Sequence, residues 1–315
     1  MADANESLGE AFREFLMTVL AFIIAVLKGA WRAVGWVPQK SIMGEIAVVT
    51  GAGSGIGRLV ALELSKRGAT IVGWDVNTTG NEETVNMIKS KGGKAYAYTV
   101  DVSSKEKVYK AADQVKAEVG SVSILINNAG IVVGKKVLDI PDDMVIKTFE
   151  VNAIAHFWTT RSFLPEMMEK NHGHIVNVAS VAGVVGCNRL SDYCASKFAD
   201  VGFTETLDME IIQSGCTDVH TTLVCPYFIG TGMFEGCQTR FPWLLPVLEP
   251  NWVARRIVKG MLTNQKQLFL PKIMYFLNII KSILPVDAVL ILHKYMGATN
   301  FMDTFIGKQQ KMKSS

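Results

Sequence analysis

"IAVVTGAGSGIGRLVALELSKRG", residues 46–68, joins a β-branched apolar run to a cluster of glycines and then to an apolar-periodic stretch. Residues 46–50 read as a buried strand, and residues 58–68 as a helix closed by Gly68 at its C-terminus. Between them "TGAGSGIG", Thr50 to Gly57, makes a turn that brings backbone N–H groups up to a pyrophosphate. Gly51 permits the turn, Gly55 the close approach, and Gly57 the packing of helix on strand; Ser54 and Ile56 belong to the same surface. The N-terminus of the following helix adds partial positive charge.

A glycine turn alone is weak evidence, but here the strand–turn–helix context is complete, and Asp75 follows Gly57 by 18 residues at the end of "TIVGWD". A carboxylate at that place accepts hydrogen bonds from ribose hydroxyls and repels a 2′-phosphate, so NAD is expected rather than NADP. Arg58 argues the other way, since a guanidinium beside this turn tolerates the phosphate. Asn77-Thr78-Thr79 has the form of a glycosylation sequon and, beside the cofactor surface, is expected to be unused.

Outward from this unit the chain alternates. "NEETVNMIKSKGG" reads as a helix, "KAYAYTVD" as a strand, 104–119 as a helix, and "VSILINNAG" as a strand running into a loop. A long helix is predicted over 142–170, then the strand "HIVNVAS", a helix over 192–215, and the strands "HTTLVC" and "QKQLFL". Strands alternating with helices predict an α/β fold, a Rossmann-type doubly wound parallel sheet. Ligands then bind beyond the carboxyl ends of the strands, where Gly51, Asp75, Asp101, Asn127, Ser180 and Pro226 each fall.

The 315 residues suffice for one large α/β domain. Charged residues make up 19% and the mean hydropathy is +0.24, oilier than the usual ~25% charged share. The net charge of +3 implies no strong field for nucleic acid, and no basic stripe is interleaved with aromatics. Five scattered cysteines (187, 194, 216, 225, 237) form no C-x-x-C or His/Cys cluster; they fit a reducing compartment and predict no metal site.

The excess hydrophobicity sits at the two ends, which divide the chain into a tail and hydrophobic anchor (1–43), a catalytic domain (44–270), and C-terminal helices with a basic tail (271–315). "FLMTVLAFIIAVL", residues 15–27, would reach about 20 Å as a helix, short of the ~30 Å hydrocarbon core. Lys28 and Arg32 could snorkel, and Trp31 and Trp36 sit at the headgroups. Asp3, Glu6 and Glu10 argue against a signal peptide. A membrane anchor is expected, whether tilted span, hairpin or interfacial helix, and the positive flank at Lys28, Arg32 and Lys40 puts the following domain in the cytosol. In 268–297, Lys272, Lys281, Lys294, Pro271 and Pro285 break any spanning helix, leaving amphipathic helices that cover the core or lie in the membrane interface. The tail "KQQKMKSS" is expected to be disordered and ends in the K-x-K-x-x form of a dilysine retrieval signal of the endoplasmic reticulum.

"SDYCASKFADVG", residues 191–202, sets Tyr193 and Lys197 one helical turn apart, so both can point at one spot. A cation beside a phenol favours the phenolate, which makes a general base. Such a pair is common by chance. Together with T-G-x-x-x-G-x-G, N-N-A-G at 127–130 and Ser180 thirteen residues before Tyr193, however, it resembles the motif series of the short-chain dehydrogenases/reductases over roughly residues 44–270.

That resemblance implies a catalytic tetrad of Asn152, Ser180, Tyr193 and Lys197. Tyr193 is then the base that takes the hydroxyl proton as hydride leaves the alcohol carbon. Its phenolate must become accessible near neutral pH, a change worth roughly 3–4 kcal/mol. Lys197 and the positive nicotinamide are expected to supply it. Ser180 holds the substrate oxygen, Lys197 the nicotinamide ribose, and Asn152 a water that passes protons to Lys197. Asp101 and Val102 are implied at the adenine, Asn128, Ala129 and Gly130 along the adenosine side, and Pro226 and Thr231 at the nicotinamide. In "CPYFIGTGMFEGC" Tyr227 stands where many members have glycine.

The stretch after Thr231 is where the family carries its substrate loop, and Met233, Phe234, Phe241, Trp243, Leu244 and Leu245 are too apolar for a sugar or hydroxy acid. Met233 and Phe234, with Ser180 and Tyr193, are the expected substrate contacts. "WDVNTTGNEET", "HFWTTRSFLP", "DYCASKF" and "LVCPYFIGTGMFEGC" further resemble the membrane-bound retinol dehydrogenases, with 17-beta-hydroxysteroid dehydrogenases as relatives. This implies oxidation of all-trans-retinol to retinal with NAD+, at the cytosolic face of the endoplasmic reticulum or on lipid droplets, by a homodimer formed through helices 142–170 and 192–215. Two other readings stay open: a hydroxysteroid or other lipid alcohol as substrate, and a low-turnover membrane scaffold, against which the intact tetrad argues.

Overall fold

The sheet is built outward from residues 46–50. In the computed structural model, which describes residues 2–34 and 37–307, β1 (Ile46–Thr50) is followed by β2 (Thr70–Asp75), β3 (Ala95–Thr99), β4 (Ile124–Asn127), β5 (Gly173–Val178), β6 (Val219–Pro226) and β7 (Gln267–Leu270). All pair in parallel, in the order β3-β2-β1-β4-β5-β6-β7. Trp36 and the tail with its dilysine pattern lie outside the described residues.

The chain divides into two compact units, Met1–Lys40 and Ser41–Ser315. The first is one helix, α1 (Ala2–Val34), whose large apolar side chains from Phe12 to Trp31 are exposed. Its apolar run falls short of the ~20 residues a spanning helix needs, and among the described residues no helix is long and apolar enough to cross a membrane.

In the second unit the inner strands β1, β4 and β5 are buried on both faces because helices cover both, as parallel sheets require, while the edge strand β3 is largely exposed. Val49 points into a layer closed by α2 (Gly55–Ser65), α3 (Thr78–Lys89) and α8 (Pro250–Leu262), with Leu64, Val85 and Ile257. Val48 points into the opposite layer, closed by α4 (Lys105–Glu118), α6 (Ala155–Glu169) and α7 (Ser191–Gln213), with Val115, Phe163 and Leu207. There Phe163 meets Trp74 at 5.7 Å between ring centres, each fully buried ring contributing about 1.5–3 kcal/mol. Strand order reverses between β1 and β4, which opens a crevice at the carboxyl ends of the strands.

Two features depart from the sequence expectation. The long helix over 142–170 is interrupted: α5 (Asp142–Phe149) passes through a π-turn at Glu150–Ile154 before α6 begins. Helix α8 was not expected, although Pro250 at its first position and Glu249, which accepts from the Asn251 and Trp252 amides, form an ordinary helix start. At the C-terminal end, α9 (Ile273–Ile283) and α10 (Val286–Tyr295) break at Pro285. They turn Met274 and Val289 inward and leave Phe276, Ile279, Ile283, Leu290 and Ile291 exposed.

Candidate active site

The glycine turn is shaped by contacts that leave no room for side chains. A β-carbon at Gly57 would stand 2.1 Å from the Gly51 carbonyl oxygen, and Gly51 (φ 68°) and Gly55 (φ 56°) hold left-handed backbone. Thr50 fastens the turn to the loop after β4. Its hydroxyl accepts from the amides of Asn128 (2.9 Å) and Ala129 (3.0 Å), while Asn128 Nδ2 donates to the Thr50 carbonyl at 2.9 Å.

These loops open on a cavity of about 470 Å³ in the crevice. Gly51, Ser54, Gly55 and Ile56 line one side of it, with Asn128, Ala129 and Gly130. Asp75, Asp101 and Val102 line the end toward β2 and β3. Ser180, Tyr193, Lys197, Pro226 and Thr231 line the other end, beside Met233 and Phe234. Gly57 lies beneath the turn rather than at the wall.

Asp75 accepts from the amides of Gly53 and Asn77, both at 2.8 Å, which aims its carboxylate at the cavity mouth. Arg58 donates from Nη2 to the Gly53 and Gly80 carbonyls and to Glu83, and from Nε to Thr84. These bonds hold the guanidinium against α3, and with Asp75 at the ribose position the residues fit NAD. Asn77 caps α3 by accepting from the Gly80 amide at 3.1 Å. Asp101 accepts from Ser103 and lies 3.3 Å from Lys147, a cavity-lining cation that the sequence reading did not single out. Against the cost of burial, those partners hold its carboxyl below the usual range.

At the reaction end, Ser180 follows β5 and its hydroxyl accepts from the Ala182 amide at 3.1 Å. Tyr193 is 4% exposed and packs edge-on against Phe234, with 5.6 Å between ring centres. Lys197 Nζ donates to the Val178 carbonyl at 2.8 Å and to Asp200 Oδ2 at 3.3 Å. Asn152 sits in the π-turn, fully buried and away from the cavity wall. Its Oδ1 accepts from the Ile131 amide at 2.8 Å, and its Nδ2 donates to the Ile131 carbonyl (3.0 Å) and to Ser196 (3.1 Å).

With no nicotinamide beside it, burial raises Tyr193 above a phenol's ordinary value, opposed by the Ser180 hydroxyl, while Cys194, Asp200 and Cys187 raise it further. Lys197 does not act as a bare cation here, because the buried Asp200 carboxylate offsets it.

The substrate side is closed by a part of the chain whose role was not legible. Phe228 and Phe234 meet Phe301 and Met302 around Tyr193. The segment carrying Phe301 is held by Asn188 Nδ2 donating to the Thr299 carbonyl (2.7 Å), by Arg189 to Met302 (3.2 Å), and by the Gln238 amide to Phe301. Among the described residues no group of three or more His, Cys, Asp or Glu could hold a metal ion.

Residues 45–240 match the family model of the short chain dehydrogenases, and the chain belongs to that family. It is an oxidoreductase. It is 46% identical over 303 residues, 96% of this chain and 98% of the relative, to epidermal retinol dehydrogenase 2 of Mus musculus. With retinol dehydrogenase 10 of Xenopus tropicalis it shares 41% identity, covering 93% of this chain and 96% of the other. A short chain dehydrogenase/reductase from Burkholderia phymatum, solved in complex with NAD, superposes with a TM-score of 0.71 at 28% identity, over 80% of this chain and 96% of that one.

Proposed function

We propose that this protein oxidises all-trans-retinol to all-trans-retinal with NAD+. The observation that carries the reading is one cavity with two ends: the Gly51–Gly55 turn with Asp75 at one, and Ser180, Tyr193 and Lys197 against Met233 and Phe234 at the other. Identity of 46% and 41% to two proteins named retinol dehydrogenases supports a retinoid alcohol.

When bound, NAD+ supplies the hydride acceptor. Asp75, the glycine turn and Thr231 hold it, with Asp101 and Val102 at its adenosine end. Tyr193 accepts the hydroxyl proton at its phenolic oxygen. Ser180 donates to the substrate oxygen and stabilises charge there. Lys197 holds the ribose and, with Asn152 behind it, passes protons outward. Burial of Tyr193 and the ring of Phe234 keep water from the reacting carbon.

The apolar run of α1 and the outward residues of α9 and α10 support attachment to membrane lipid, with the catalytic domain on the cytosolic side of the endoplasmic reticulum or at lipid droplets. Exposed Ile146, Phe157, Phe198, Met209 and Ile212 on α5, α6 and α7 support a homodimer through those helices.

The test is NADH formation by membranes carrying the protein, given all-trans-retinol or a steroid alcohol, beside a Tyr193→Phe variant. Retinol-dependent NADH that disappears in the variant is the expected result. Activity on the steroid alone moves the assignment to a hydroxysteroid dehydrogenase. NAD binding without turnover on either overturns the enzymatic reading in favour of a scaffold.

A further inference from the structure

Behind Lys197 lies a chain of three buried charged or titratable groups. Asp200, fully buried, stands between Lys197 on its own helix and His156 on α6: Oδ2 is 3.3 Å from Lys197 Nζ, and Oδ1 is 2.7 Å from His156 Nδ1. The side chains of Lys197 and His156 are 4% and 3% exposed. A carboxylate only accepts, so the imidazole proton sits on Nδ1; Nε2 is buried without a hydrogen-bond partner. An ammonium this deep is tolerable because a carboxylate accompanies it.

We propose that Asp200 is a positioning residue for the reaction: it fixes the Lys197 ammonium under the cavity and offsets its charge at Tyr193. The pH at which Tyr193 becomes a base is then set by the Lys197–Asp200 pair, not by Lys197 alone. The proposal rests on the reading of Tyr193 as the base.

Three further observations agree. Lys197 meets the Val178 carbonyl and Asp200 at once, so its position follows from theirs and not from solvent. Asp200 raises Tyr193, as a carboxylate acting across the same helix must, and His156 and Lys197 hold Asp200 itself ionised against burial. The other groups facing these residues are thiols and a hydroxyl, Cys187, Cys194 and Ser180 at Tyr193 and Cys225 at Asp200, with Asp192 beside Cys194. None of them brings a second cation to Tyr193.

The experiment uses the full chain in membranes or detergent and has two readouts. The first is the pH dependence of NADH formation from all-trans-retinol for the natural protein, Asp200→Asn and Asp200→Glu. The second is alkaline tyrosinate absorbance of the cofactor-free protein, each form referenced to the same form carrying Tyr193→Phe. In Asp200→Asn the limb on which activity rises with pH moves about one pH unit lower, and the Tyr193 absorbance step moves the same way. Asp200→Glu restores both toward the natural values. Asp200→Ser, which leaves room for water at His156, gives the same reading should the amide not fold. Activity that falls while limb and step stay in place makes Asp200 merely structural and overturns the proposal. Absence of any NADH from retinol overturns the substrate reading instead, and the absorbance step still decides the coupling.

Discussion

The Gly53 amide donates a 2.8 Å hydrogen bond to the Asp75 carboxylate, tying the glycine turn to the end of β2. Arg58, the residue that argued for NADP, has turned away to Glu83 and three other acceptors. Cofactor choice therefore rests on Asp75. Asp75→Ala is expected to weaken NAD binding by about 10–100-fold, the worth of one or two hydrogen bonds to a charged group, and to narrow the preference over NADP. Titrating both cofactors against the variant by fluorescence measures this, and an unchanged preference would move the discrimination elsewhere.

Gly57 carries no ligand contact of its own, yet its replacement should be felt strongly. A β-carbon would meet the Gly51 carbonyl at 2.1 Å and Asn128 Nδ2 at 2.5 Å. Gly57→Ala should lose about 1–3 kcal/mol of stability, and the displaced turn should lose NAD affinity as well. A melting temperature equal to that of the natural protein would contradict the packing argument.

His156 satisfies one oxygen of a fully buried carboxylate, and nothing else described reaches that oxygen. His156→Ala should cost about 3 kcal/mol in urea unfolding, because Asp200 keeps its charge and loses a partner. The acid side follows from the same pair. Burial opposes ionisation of Asp200, but His156 and Lys197 hold its folded value below the ordinary one. Its contribution to stability is then complete above about pH 4 and disappears as pH falls through the lower folded value. Asp200→Asn should flatten that acid limb of the stability profile, and a limb unchanged in slope would assign it to other carboxylates.

The rings around Tyr193 should govern affinity for the apolar body of the substrate more than the chemical step. Phe234 lines the cavity against Tyr193, and Phe228 and Phe301 pack behind it. Phe234→Ala should raise KM for retinol by about 10-fold, with a smaller change in kcat, from the apolar area lost. A fall in kcat alone would instead mean that Phe234 orients the phenol.

The sheet was legible because its signals are local. The apolar run before Gly51 and the glycines after it need no distant partner to be read, and Asp75, Ser180 and Tyr193 fall at strand ends or helix starts in series. What escaped depended on contacts between distant residues. Asp200 stands three residues after Lys197, an ordinary helix spacing, and only the approach of His156 from another helix makes it a buried pair. The π-turn at Glu150–Ile154 leaves no compositional mark; it turns Asn152 toward Ile131 and Ser196, which the sequence cannot place beside it. Phe301 lies 108 residues after Tyr193, so periodicity around either gives no sign of their meeting.

The segment that walls in Tyr193 begins two residues after α10 ends, and Arg240 donates to the Tyr295 carbonyl at 2.8 Å across that junction. The outward apolar side of α10 and the aromatic cluster that backs Tyr193 and Phe234 are thus one stretch of chain. Under the proposed attachment to lipid, a change at exposed Leu290 and Ile291 passes along the chain to the residues that back Tyr193. The lipid attachment proposed above therefore predicts that exchanging phospholipid for detergent changes KM for the alcohol and leaves NAD affinity unchanged.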